Sequence, residues 1–236
     1  MSYILSIETS DKSCSVALSH GYNLIGSLDI TDEKSHASKL TLLIEKLLDT
    51  KGFKIDDLNA VAISKGPGSY TGLRIGVSVA KGICYALNVP LIAINTLQSL
   101  AIGFEQSGCL RKFQSQNNPI LLCPMIDARR MEVYSAFFKP NGEQIGDIAA
   151  NLIEATSFNL ILEKNSVVFF GSGSEKCKNV IAHPNAHFVD NLNPHASFMV
   201  SLANDLYENN RFENVAYFEP FYLKDFVATT SKKSVL

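Results

Sequence analysis

A run of glycines stands between an apolar segment and a helical pattern, at residues 64–76. Gly66, Gly68 and Gly72 follow residues 60–63, which are typical of a buried strand, and precede residues 75–87, which predict a helix. Such a turn can present backbone N–H groups to an anion, or let the helix pack very close to another element. The run is neither a dinucleotide-binding fingerprint, since Thr71 stands where that pattern needs glycine, nor a P-loop, since no Gly-Lys-Ser/Thr ends it.

Two other turns are candidates for contacting phosphates. Thr9 and Ser10, after Glu8, offer hydroxyls, amides and a possible acidic metal anchor, but they also suit a polar hairpin turn that satisfies its own backbone. Gly171 and Gly173 follow an apolar strand in the second half, where a strand-to-helix turn needs glycine in any case. We treat all four residues as weak nucleotide candidates and expect no bound cofactor.

Metal and protease chemistry find little support. His183 and His187 are four residues apart, but Pro184 argues against a helix there, and neither an HE pair nor a third ligand lies near them in the sequence. Ser69 lacks the G-x-S-x-G elbow, and residue order alone gives no Ser-His-Asp set. We therefore predict no metal site and no catalytic residue.

The helix after the glycine turn carries small residues at every fourth position. Gly72, Gly76 and Ala80 form a smooth stripe beside Leu73 and Val77. A stripe of this kind allows two backbones to approach closely, either against the chain's own sheet or against a partner. The preceding helical pattern has a wide apolar arc, which favours the partner. We predict a partner interface on both helices, formed by His36, Leu40, Leu43, Leu47, Gly72, Leu73, Gly76, Val77 and Ala80.

Composition indicates a globular cytoplasmic protein. The 236 residues are 46% hydrophobic and 19% charged, with a formal net charge of −2 and no basic block. A chain that binds RNA alone usually presents a basic face, so we expect any contact with RNA to need a partner protein. The five cysteines form no CxxC pair, which favours free thiols in a reducing compartment. We expect no signal peptide at the N-terminus, and no apolar run approaches membrane-spanning length.

The periodicity of apolar residues predicts the order βββαβαβα twice. In the first half we expect strands at residues 3–8, 14–19, 21–30, 60–64 and 90–94, with helices at 35–48, 75–87 and after 95. In the second half we expect strands at 120–126, 132–138, 144–148, 167–170 and 187–189, and helices near 158–162 and 196–207. Two such halves predict the α/β architecture of the actin-like ATPase fold, with mixed sheets. We place the boundary between residues 1–103 and 104–236, and the last helix can pack back on the first half.

Several motifs resemble the bacterial TsaB family. They are residues 4–10 and 14–18, His36 with residues 40–43, the long signature at 66–76 with 80–82, the turn at 127–130 with 132–134, and residues 220–224. The motifs are dense over the first hundred residues and sparse after Tyr134. Met131 stands where many relatives have glycine.

The resemblance implies a non-catalytic subunit in the synthesis of N6-threonylcarbamoyladenosine at position 37 of tRNAs that read codons beginning with A. It implies docking to the catalytic relative TsaD through the first-domain helices, with a TsaE ATPase as a further partner and a homodimer when the chain is alone. TsaD proteins carry an HxxxH metal motif that residues 95–100 lack here. An ATP-binding enzyme, such as a kinase or carbamoyl transferase, remains the alternative, and direct tRNA binding through Arg129, Arg130, Lys232 and Lys233 is a third hypothesis.

Overall fold

The computed structural model describes residues 2–31, 36–113 and 118–224, without the side chains of residues 36–38. Ten strands form two five-stranded sheets. The strands are β1 Tyr3–Glu8, β2 Cys14–His20, β3 Asn23–Ile30, β4 Ala60–Gly66, β5 Leu91–Asn95, β6 Ile120–Asp127, β7 Glu132–Phe138, β8 Gln144–Leu152, β9 Ser166–Phe170 and β10 Ala186–Val189. The helices are α1 His36–Lys51, α2 Tyr70–Leu87, α3 Thr96–Gln106, α4 Asn159–Leu162, α5 Ser174–Cys177 and α6 Val200–Glu208. Short 3-10 turns lie at Ile55–Asp57, Cys109–Lys112 and Ala196–Met199.

The two sheets have the same topology. The first has the order β3-β2-β1-β4-β5 and the second the equivalent order β8-β7-β6-β9-β10. In each, three antiparallel strands from consecutive hairpins continue into two parallel strands reached by helical crossovers. The repeated βββαβαβα order is confirmed, and with it the actin-like ATPase fold.

Alternating residues of β1 face opposite layers. Leu5 and Ile7 pack with the apolar sides of α1 and α2, whereas Ile4 faces the other way and packs with Met199 and Ala203, next to and within α6. This alternation follows from the two-residue period of a strand. The first sheet is therefore covered on both faces, and one of its covers, α6, comes from the second half of the chain.

Helix α3 packs on the second sheet, although it follows the last strand of the first. Its Leu97, Leu100 and Phe104 share a core with Phe138 of β7 and Phe170 of β9. The other face of that sheet packs against Leu162 of α4 and Cys177 of α5, among others. The predicted boundary after residue 103 consequently falls inside a helix that belongs to the core of the second half.

Candidate functional site

The glycine turn between β4 and α2 packs directly on the hairpin turn between β1 and β2. Ser69 begins the helix as its N-cap, with its Oγ accepting from the Gly72 amide at 3.3 Å, while its own amide donates to the Ser10 carbonyl at 2.6 Å. A Cβ on Gly68 would overlap the Ser10 carbonyl, and one on Gly72 would overlap the Thr9 carbonyl. The glycines thus permit contact between two backbones.

This contact encloses the first predicted phosphate turn. Thr9 and Ser10 have no exposed surface, and the Thr9 hydroxyl lies where a Cβ on Gly76 would stand. The amide of Ser69 at the start of α2 donates to the chain's own hairpin and therefore does not point at open solvent. In this arrangement neither Thr9 nor Ser10 can reach a nucleotide.

Glu8 ends β1 beneath the same contact and is fully buried. Its Oε1 accepts from the Ser10 amide at 2.7 Å. Burial raises the pKa of the Glu8 carboxyl to about 7, against the opposing effect of hydrogen bonding by Ser10. A carboxyl enclosed in this way is a poor metal anchor, because hard cations need an accessible oxygen.

The second predicted phosphate turn is also tightly packed. A Cβ on Gly171 would overlap the Met125 carbonyl, and one on Gly173 would lie 3.0 Å from the carbonyl carbon and oxygen of Ile126. Between them, the Ser172 Oγ accepts from the Asp127 amide at 3.2 Å. These glycines serve the close approach of their turn to β6, which accounts for them without a nucleotide.

Lys176 on α5 fills the turn between β6 and β7. Its ammonium pairs with Asp127 Oδ1 and donates to the carbonyls of Arg130 and Glu132, each at 2.7 Å. The ammonium is thus engaged by three oxygens of the chain itself. The first hairpin turn is therefore enclosed by the glycine turn, and the second is occupied by Lys176.

The predicted partner-interface residues whose side chains are described all lie in the chain's own core. All eight are buried: Leu40, Leu43, Leu47, Gly72, Leu73, Gly76, Val77 and Ala80. The small stripe receives the β1–β2 hairpin of the same molecule, so a partner that met these residues would have to displace it. His36 begins α1, and its side chain lies outside the described part of the chain.

A groove between α1 and α2 does face outward. Its volume is about 570 Å³, and core side chains such as Ile44 and Leu48 form part of its lining. A Cβ on Gly82 would meet nothing within 4 Å, and Leu42 on α1 is 61% exposed. The groove is lined by Thr41, Ile44, Glu45, Leu48, Asp49, Phe53, Lys54, Ile55, Val79, Gly82 and Ile83.

Residues 213–224 form a strap that crosses α2 and the glycine turn. The Glu213 amide bonds to the Leu91 carbonyl at 2.8 Å, and Lys81 Nζ donates to the carbonyls of Ala216 and Phe218, both at 3.1 Å. The Phe221 amide then bonds to the Lys65 carbonyl at 2.7 Å. The strap has little helical or strand periodicity, so sequence reasoning missed its contacts.

Histidines and cysteines of the described ranges serve packing and turns. His183 Nδ1 accepts from the Asn185 amide at 3.1 Å, as a turn residue does, and the His187 ring lies 5.4 Å from that of Phe113. No cluster of three metal-ligating side chains occurs within residues 2–31, 36–113 and 118–224. All five cysteines are free thiols, as predicted, and four are buried. No helix in these ranges is both long and apolar enough to span a bilayer.

Comparison with known proteins gives one consistent family. A family model described as TsaD, tRNA N6-adenosine threonylcarbamoyltransferase, matches residues 30–232. The tRNA threonylcarbamoyladenosine biosynthesis protein TsaB of Bacillus subtilis (strain 168) is 30% identical, over 71% of this chain and 69% of its own length. The chain belongs to the TsaB family. It also falls within the broader set that the TsaD model describes.

A second sequence relative and a solved structure are similar to nearly the whole chain. The tRNA threonylcarbamoyladenosine biosynthesis protein TsaB of Escherichia coli (strain K12) is 28% identical, over 95% of this chain and 96% of its own length. The solved structure of YeaZ from Pseudomonas aeruginosa superposes with a TM-score of 0.77 at 28% identity, over 94% of this chain and 100% of that chain. The family resemblance stated from the motifs is thereby confirmed along the full length of the fold.

Proposed function

We propose that this TsaB-family chain is a non-catalytic subunit in the transfer of a threonylcarbamoyl group to adenosine 37 of tRNAs that read codons beginning with A. It docks to a TsaD-type catalytic subunit and activates it. The observation that carries the proposal is the contrast between two closed phosphate turns and an open groove between α1 and α2. The relatives' names place TsaB proteins in the same biosynthesis.

The docking surface that we propose is the outer side of α1 and α2, in place of the buried stripe. Val79 and Ile83 supply apolar walls, Gly82 leaves room for a partner's side chain, and Glu45 and Asp49 lie on the opposite, α1 side. An apolar groove between two helices suits a third helix laid along it, which then buries its own apolar face. The occupant to which we commit is a helix of the TsaD-type subunit.

Two finer elements belong to the same proposal. A second copy of this chain can occupy the groove when the catalytic subunit is absent, so the homodimer and the heterodimer compete for one surface. A TsaE-type ATPase joins the pair after docking, and tRNA is held by the assembled complex.

The test is the variant Gly82→Arg. Because a side chain at this position meets open space, the variant folds, while its guanidinium fills the groove. Gln106→Arg, at an exposed position of α3, adds the same charge away from α1 and α2. We expect Gly82→Arg to lose co-elution with the TsaD-type subunit in size-exclusion chromatography and Gln106→Arg to keep it. If a folded Gly82→Arg variant co-elutes with the TsaD-type subunit as the wild type does, the groove is not the docking surface.

The alternative is an ATP-binding enzyme of the same fold, which the closed turns around Thr9 and Lys176 disfavour. Isothermal titration of the isolated chain with Mg-ATP separates the two. The proposal expects no binding at micromolar concentration. Binding accompanied by hydrolysis would favour the enzyme.

A further inference from the structure

The turn between β6 and β7 holds two exposed arginines in a backbone conformation that is unusual for them. Arg129 has φ +68° and Arg130 has φ +48°. Left-handed backbone costs a residue other than glycine about 1 kcal/mol or more, and such residues are concentrated at functional sites. The proposed docking through α1 and α2 makes no use of this turn.

The surrounding contacts hold the turn in that conformation. The Arg129 amide donates to Asp127 Oδ1 at 2.9 Å, and the Glu132 amide donates to the Arg129 carbonyl at 3.1 Å. Lys176 binds the carbonyl of Arg130 from inside the turn. The two guanidinium groups are thus presented outward by a fixed backbone.

The charge of the two arginines is not balanced by nearby acids. Asp127 pairs with Lys176, and Glu132 pairs with Lys224 of the strap, so each carboxylate of the turn already has a lysine partner. No ion pair joins Arg129 or Arg130 to another residue of the described ranges. The turn therefore presents two uncompensated positive charges on a chain whose net charge is −2.

Aromatic rings lie on the elements next to the turn. Tyr134 stands on β7, two residues beyond Glu132, and its side chain is partly exposed. Tyr222 stands two residues before Lys224, which pairs with Glu132, and its ring lies 4.8 Å from that of Tyr70 on α2. The Arg74 guanidinium lies over Tyr70 at 4.7 Å.

We propose that the Arg129–Arg130 turn binds the phosphate backbone of tRNA. Planar guanidinium groups match phosphate oxygens in bidentate geometry. Aromatic rings near cations are also common on surfaces that bind RNA. The inference rests on the proposed function, which identifies the nucleic acid as tRNA. Because Arg129 and Arg130 supply only two phosphate contacts, the chain needs its partner to hold tRNA.

The test compares two doubly substituted chains of equal net charge. Arg129→Asn with Arg130→Asn removes both guanidinium groups, and asparagine tolerates the left-handed backbone, so the turn persists. Arg111→Asn with Arg211→Asn removes two exposed arginines elsewhere. Binding of an unmodified transcript of a tRNA that reads codons beginning with A is followed by fluorescence anisotropy against salt, for each chain alone and mixed with the TsaD-type subunit. Size-exclusion chromatography reports assembly of the same samples.

We expect the turn variant to flatten the plot of log affinity against log salt by about 1.5, since each lost phosphate contact removes roughly 0.7–0.9 from the slope. The control keeps the wild-type slope, and both variants assemble. An unchanged slope in the turn variant overturns the inference, and so does loss of assembly in the turn variant alone, which would make the arginines a protein contact. If no chain assembles but the slope of the turn variant still flattens, the proposed docking fails and the inference stands.

Discussion

At the scale of single residues, the polar groups of the first hairpin are enclosed by backbone. Glu8, Thr9 and Ser10 have side chains of the kind that serves phosphate and metal binding, yet none of the three is exposed. Within the described part of the chain, Glu8 Oε2 and the hydroxyls of Thr9 and Ser10 have no hydrogen-bond partner. A buried polar atom without a partner costs about 1–3 kcal/mol, so this turn lowers the stability of the fold.

Glu8 gives a pH-dependent prediction. Its folded-state pKa, about 7, exceeds the ordinary value of 4.5, so its contribution to stability is fully present below pH 4.5 and is lost as the pH rises through 7. Glu8→Gln keeps an acceptor for the Ser10 amide and cannot ionise. We expect the variant to be more stable than the wild type at pH 8, by up to about 3 kcal/mol, and similar near pH 4.5. Urea denaturation across this range checks it, and a difference independent of pH would show that Glu8 does not titrate there.

At the scale of elements, α2 shows what a sequence pattern can and cannot establish. The helix, its small stripe and the turn before it were all predictable, because glycine and helical periodicity are local signals. The sequence pattern places the start of this helix at residue 75, whereas the structure places it at Tyr70. The difference arises because Ser69, in the glycine turn, acts as the N-cap. The element that packs on the stripe is the hairpin turn at Thr9. It was not predictable, because small residues indicate close packing without indicating which element packs there.

Substitution of Gly76 and of Gly82 by alanine is expected to have opposite effects on stability. In Gly76→Ala the new methyl would overlap the Thr9 hydroxyl and lie 2.9 Å from Ile63 Cδ1, so we expect destabilisation by about 1–3 kcal/mol despite the better helix propensity of alanine. Gly82→Ala, the matched control, meets open space and gains up to about 1 kcal/mol. Both follow from urea denaturation curves. Equal effects of the two substitutions would mean that α2 does not pack on the hairpin as described.

At the scale of the whole molecule, the two halves exchange helices. α3 leaves the first sheet to cover the second, and α6 returns from the second half to cover the first. The strand and helix order of both halves was predictable from periodicity, but this exchange was not, because an amphipathic helix shows that it has an apolar face and not which sheet receives it. The halves are consequently joined by the packing of α3 on the second sheet and of α6 on the first. The ion pair between Lys224 and Glu132 is a further link.

Central to the proposal is that this molecule supports a reaction without performing it. The most direct measurement is threonylcarbamoylation of a tRNA transcript by the reconstituted TsaD-type and TsaE-type proteins, with this chain, without it, and with Gly82→Arg. We predict modification only with the unsubstituted chain, and no turnover by the chain alone. Full modification without the chain, or turnover by the chain unaided, would contradict the account.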